Sequence, residues 1–83
     1  MAETRTVEVR AEEFDDRGCE PMLLFWYVNA GDQVEAGQDL CEIETAKAVF
    51  VVQAPEAGVV KEILVGEGDA VESAQLLARV EVA

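Results

Sequence analysis

Residues 28–44, VNAGDQVEAGQDLCEIE, return 37 positions later as VGEGDAVESAQLLARVE at residues 65–81. Eight of the seventeen positions are identical: Val28/Val65, Gly31/Gly68, Asp32/Asp69, Val34/Val71, Glu35/Glu72, Gln38/Gln75, Leu40/Leu77 and Glu44/Glu81. Two copies are too few for a solenoid, which needs three or more stacked repeats to bury a continuous core. They fit a single domain over residues 1–83, with halves around 28–44 and 65–81 related by an internal pseudo-two-fold. Each copy reads as strand, Gly-Asp turn, short strand beginning near Val34 or Val71, tight turn, strand. Glycine tolerates the left-handed backbone of tight turns, and aspartate bonds to nearby backbone.

The segments outside the repeat extend this pattern. Thr6 to Arg10 alternates valine with polar residues, as a half-buried strand does. Met22 to Val28 is a continuous apolar run too short to span a membrane, and reads as a core strand containing Leu24, Phe25 and Trp26. Ala48 to Val52 is β-branched and aromatic, the breakers of Ala54-Pro55-Glu56-Ala57-Gly58 end it, and Val59 to Val65 resumes. Glu12 to Glu20 is acidic and poor in apolar residues, and reads as a surface loop with Phe14 packed back on the body. No segment sustains a three-and-four apolar spacing, so little helix is expected. The reading is all-β, a flattened barrel or sandwich of two small antiparallel sheets.

Composition narrows the function. The chain has 18 acidic and 6 basic side chains and a net charge of −12. Nucleic-acid binding rests on cations that displace counterions from phosphates, so a basic protein surface is the better partner. The absence of histidine removes the usual Ser/His and Cys/His nucleophile pairs. It also leaves Cys19 and Cys41 unable to complete a zinc site, and no metal is expected. The two cysteines permit one disulfide, but nothing in their spacing favours it. With no apolar run of 18 or more residues and no signal-peptide pattern, the expectation is a soluble protein of the cytoplasm, in a bacterium the cytosol, with reduced thiols and no membrane partner.

One cation stands out. Lys47, in IETAKAVFVV (residues 43–52), is the only cation between Arg17 and Lys61. A single strand from Leu40 to Val52 would run well past the typical 5 to 6 residues, so a turn at Thr45-Ala46-Lys47-Ala48 is more economical. A type I turn accepts these residue types. Lys47 then sits at a hairpin tip between two small alanines. Adding the repeat offset of 37 to position 47 gives 84, one past the last residue, so the tip is expected to correspond to the place where the chain ends, with Lys47 and the C-terminus at opposite poles.

From Trp26 to Glu81 the sequence resembles a lipoyl domain of the biotinyl/lipoyl carrier family. The shared features are W-x-V-x-x-G-D-x-V at Trp26 to Val34, G-Q-x-L-x-E-I-E-T at Gly37 to Thr45, Lys47-Ala48, A-P-x-x-G at Ala54 to Gly58, and a second G-D-x-V at Gly68 to Val71. The resemblance implies two four-stranded antiparallel sheets and a lipoyl-lysine at Lys47, with Glu44, Thr45, Ala46 and Ala48 flanking it for recognition. It implies a non-catalytic swinging-arm carrier, modified by a lipoate ligase or transferase. Its partners would be the thiamine-dependent decarboxylase, acyltransferase and flavin dihydrolipoyl dehydrogenase components of a 2-oxoacid or acetoin dehydrogenase complex. The residue before the lysine is Ala46, where lipoyl domains usually have aspartate. Biotin carriers usually place methionine on both sides, so Ala46 and Ala48 fit lipoate better than biotin. The alternatives are a biotin carboxyl carrier domain, or an unmodified interaction module of the same fold that docks a basic partner.

Overall fold

The computed structural model describes residues 4–13 and 21–82. Most of the acidic loop expected over 12–20, with Phe14 and Cys19, lies outside the described residues. The described residues form seven strands: β1 (Arg5–Arg10), β2 (Met22–Trp26), β3 (Gln33–Val34), β4 (Asp39–Glu44), β5 (Val49–Gln53), β6 (Gly58–Ile63) and β7 (Leu76–Val82). They make two antiparallel sheets, ordered β1-β7-β6-β3 and β2-β4-β5.

The repeat in the sequence is a repeat in space. An offset of 37 carries β2 onto β6 and β4 onto β7, and it carries β3 onto Ala70 and Val71. Where an eighth strand was expected, the second sheet has only an isolated bridge between Met22 and Ala70. Read from the β5 edge, that sheet runs β5-β4-β2 and then Ala70, matching β1-β7-β6-β3 position for position. β3 is itself only two residues long, so the loss of one pair reduces its counterpart at Ala70 to a bridge.

The core obeys the same operation. Leu23 and Val60, Leu40 and Leu77, Ile43 and Val80, Val34 and Val71, and Cys41 and Ala78 are all buried, each pair 37 apart. Burying such an aliphatic side chain contributes about 1.5–3 kcal/mol. The two halves are also interlocked by backbone bonds. Gly31 N–H donates to Val60 O at 2.7 Å, and Gly68 N–H donates to Leu23 O at 2.7 Å. Val60 N–H returns to Asp32 O, and Leu23 N–H to Asp69 O, both at 2.9 Å. Each half's turn therefore needs the other half's strand to satisfy its backbone groups.

Two turns show where the copies diverge. Gly37 has φ +83°, and its counterpart Ala74 has φ +60°, the one non-glycine residue with positive φ among the described residues. Arg10 Nη1 donates to the Ala74 carbonyl at 3.1 Å, holding that turn against β1.

The apolar run over Met22 to Val28 corrects one expectation. Leu23 and Val28 are buried, and Trp26 packs against the core with its indole N–H donating to Val65 O at 2.8 Å. Phe25 instead points outward, 37% exposed. The β2–β4 register shifts between Leu23 and Phe25, and a bulge of this kind re-aims the side chains that follow it. An unbroken apolar run carries no alternation from which that turn-over could be read.

Candidate functional site

Lys47 sits in the connection between β4 and β5. The last paired residues are Glu44 and Val49, and the link across 45–48 is closed by Thr45 N–H donating to Ala48 O at 2.8 Å. Neither Ala46 nor Lys47 has positive φ, so the turn avoids the primed hairpin types that demand glycine or asparagine.

Thr45 supplies what those residues would have supplied. It is 8% exposed, the one buried polar residue among those described. Its Oγ1 accepts from Lys47 N–H at 3.2 Å and Ala48 N–H at 3.1 Å, and donates to Ala48 O at 3.1 Å. The hydroxyl thus substitutes for backbone pairing inside the turn, as serine and threonine do in tight loops. Ala46, Lys47 and Ala48 are exposed around this fixed point, and Glu44 is exposed on the strand below.

Of the five described cations, four are engaged: Arg5 with Glu56, Arg10 with Glu8, Lys61 with Glu81, and Arg79 with Glu62. Lys47 has no ion pair among the described residues. Arg5 and Glu56 form a two-pronged pair, which raises the Arg5 pKa and holds the Glu56 carboxyl below its ordinary range through hydrogen bonding. An amine free of such partners and lifted on a pinned turn is suited to enter another protein's cleft.

Other reactive groups lie away from the tip. Burial pushes the Cys41 thiol up to about 12, which makes it inert as a nucleophile. No group of three His, Cys, Asp or Glu suited to a metal ion occurs among the described residues. Among the described residues no helix is long and apolar enough to cross a membrane. The structure thus brings Glu44, Thr45, Ala46 and Ala48 together around Lys47, and it gives Thr45 a structural task in shaping the tip.

Two pseudo-symmetric sheets with a lysine on the β4–β5 turn define a barrel of the hybrid-motif type. The model for the family described as "biotin-requiring enzyme", covering biotin and lipoyl attachment domains, matches residues 17–80. The chain belongs to this biotin/lipoyl attachment family.

It is 38% identical over 71 residues to the dihydrolipoyllysine-residue succinyltransferase component of the 2-oxoglutarate dehydrogenase complex of Staphylococcus saprophyticus, which covers 86% of this chain and 17% of that protein. The solution structure of the lipoyl domain of the Azotobacter vinelandii 2-oxoglutarate dehydrogenase complex matches with a TM-score of 0.74 and 31% identity, covering 89% of this chain and 94% of that one. The crystal structure of Kluyveromyces lactis urea carboxylase matches with a TM-score of 0.77 and 30% identity, covering 92% of this chain and 6% of that one. The chain therefore spans a small part of the larger proteins it resembles and almost the whole of an isolated lipoyl domain.

Proposed function

We propose that this protein is a non-catalytic carrier whose Lys47 Nζ is joined to lipoate by an amide bond, serving a 2-oxoacid or acetoin dehydrogenase complex. The observation that carries this reading is an exposed Lys47, without an ion pair among the described residues, on a turn pinned by buried Thr45. The site residues fit the group. Small alanines on both sides leave the amine open, and amide formation needs only that a neutral amine reach an activated carboxyl. The bond formed is Nζ–C(=O) and the bond broken joins the carboxyl carbon to its activating group, which departs; the neutral amine gives up one proton and the amide nitrogen keeps the other hydrogen. When attached, lipoate supplies a dithiolane on a long arm, able to accept an acyl group with reduction and to be reoxidised afterwards.

The chain's own contribution is mechanical. The Thr45 bonds fix where the arm begins, and the two interlocked sheets keep that origin rigid. Tethering raises the effective concentration of the cargo at each neighbouring enzyme. The partners under this reading are a lipoate ligase, a thiamine-dependent decarboxylase, an acyltransferase and a flavin dihydrolipoyl dehydrogenase, in the cytoplasm. Similarity to lipoyl-bearing acyltransferase components and to an isolated lipoyl domain supports it.

A second reading, biotin on the same lysine, is favoured by the likeness to a urea carboxylase, since carrying a carboxyl group is the task of a biotin carrier. Intact mass after coexpression with each ligase separates the two. Lipoylation adds about 188 Da and biotinylation about 226 Da, and either gain disappears in Lys47→Arg. A protein that gains neither mass is not a carrier of these groups.

A further inference from the structure

The internal symmetry provides a control for reading the surface, because every outward position of one sheet has a counterpart on the other. On the outer face of the first sheet, paired strands align Glu8, Arg79 and Glu62 in one row and Thr6, Glu81 and Val59 in the next. The charges there are mutually satisfied: Arg79 with Glu62, Arg10 with Glu8 at 2.9 Å, and Lys61 with Glu81 at 3.2 Å. This is an ordinary solvated face.

The corresponding rows of the second sheet are Val51, Glu42 and Phe25, then Val49, Glu44 and Met22. Here Glu42 stands where the other sheet has Arg79, with a valine on one side and a phenylalanine on the other. Val49 is 52% exposed, Val51 41%, and Phe25 and Met22 37% each. Tyr27 extends the patch, its ring edge-on to Phe25 at 4.9 Å and its hydroxyl donating to Glu42. No cation among the described residues pairs with Glu42 or Glu44. The face therefore combines exposed apolar side chains with carboxylates that lack cations, a pattern suited to a partner bearing lysine or arginine within an apolar surround. A second copy would oppose carboxylate to carboxylate and is disfavoured by charge.

The row containing Glu44 and Val49 is the last pair before the Lys47 turn. A protein seated on this face is within two residues of the amine. An enzyme whose reacting atom is Nζ must bring its own surface against the residues that flank the amine, and this row is the paired part of the sheet nearest to it.

We infer that the outer face of β2, β4 and β5 is the docking surface for the ligase that modifies Lys47, which meets it with a cationic patch ringed by apolar groups. This rests on the reading of Lys47 as a lipoylation site. The test is steady-state modification of the protein by a purified lipoate ligase with ATP and lipoate, followed by mass. Val51→Lys is compared with Thr6→Lys, which adds the same charge to the first sheet. Glu42→Gln is compared with Glu62→Gln, and thermal midpoints verify that each variant is folded. Val51→Lys raises KM for the protein about tenfold, and Glu42→Gln about fivefold, with kcat unchanged. The first-sheet variants match wild type. If Val51→Lys does not fold, Glu42→Gln decides. A modified wild type whose KM is indifferent to both second-sheet variants overturns the docking surface and leaves the carrier reading standing. A wild type that gains no mass overturns both. A dimer abolished by Val51→Lys assigns the face to a second copy and overturns the ligase.

Discussion

Gly58→Ala tests how closely the strands are packed at the beginning of β6. A Cβ built on Gly58 would lie 2.3 Å from the Glu81 carbonyl oxygen and 2.9 Å from Val80 Cγ1. The first is backbone and cannot rotate away, so β6 and β7 must separate locally by about 1 Å to restore ordinary contact. Overpacking of this kind costs about 1–3 kcal/mol, and each weakened ladder bond adds about 1 kcal/mol. The expected loss is about 2–4 kcal/mol, or a fall in midpoint of about 10–25 °C for a domain this small. Thermal and urea unfolding would measure it. Gly37→Ala provides the contrast, because its Cβ would meet nothing within 4 Å and its φ is +83°. Its cost is conformational, about 1 kcal/mol. Asparagine, which tolerates left-handed backbone, should recover most of that at position 37 and none at position 58. A Gly58→Ala protein within about 0.5 kcal/mol of wild type would refute the close-approach argument.

Ala74→Gly should raise the midpoint by about 2–4 °C, because relief of the φ +60° conformation slightly exceeds the lost methyl burial and the gain in unfolded-chain entropy; calorimetry checks it. Thr45→Val should cost about 1–2 kcal/mol and speed hydrogen exchange at the Lys47 and Ala48 amides, which lose their side-chain acceptor. Cys41 has a folded pKa raised by burial to about 12, against about 8.5 for a free thiol. Its contribution is full below the unfolded value and lost as pH rises toward the folded one, so about 2 kcal/mol of stability should disappear between pH 8.5 and 10.5. Urea unfolding of Cys41→Ala should show a flatter alkaline decline.

Much of the fold could be read from the chain because the repeat fixes more than strand positions. It also fixes which residues are buried twice, and Leu40/Leu77 and Val34/Val71 occupy equivalent places in the core. The Lys47 turn was legible from strand length alone. Less legible was what makes that turn possible without glycine: the burial of Thr45, which depends on the sheets closing beneath it. The outward turn of Phe25 was also hidden, since a bulge reverses facing without changing composition. Ala74 gave no local sign of its backbone, and only its alignment with Gly37 marks it. The surface beside the tip became readable once register placed Glu42 between Val51 and Phe25, residues from three separated segments.

The pairing of Thr6 with Glu81 repeats the pairing of Val49 with Glu44. Topologically the domain is a ring with two equivalent corners, one closed by the lysine turn and the other formed by the neighbouring ends of β1 and β7. Bridging that second corner with a short turn and reopening the backbone elsewhere should yield a circular permutant with both sheets intact. If Thr45-Ala46-Lys47-Ala48 is the bridge, the permutant presents two lysine tips. Such a protein would separate the demands of the turn from those of the face beside it, because only one of its two lysines would stand next to Val49, Glu44 and Met22.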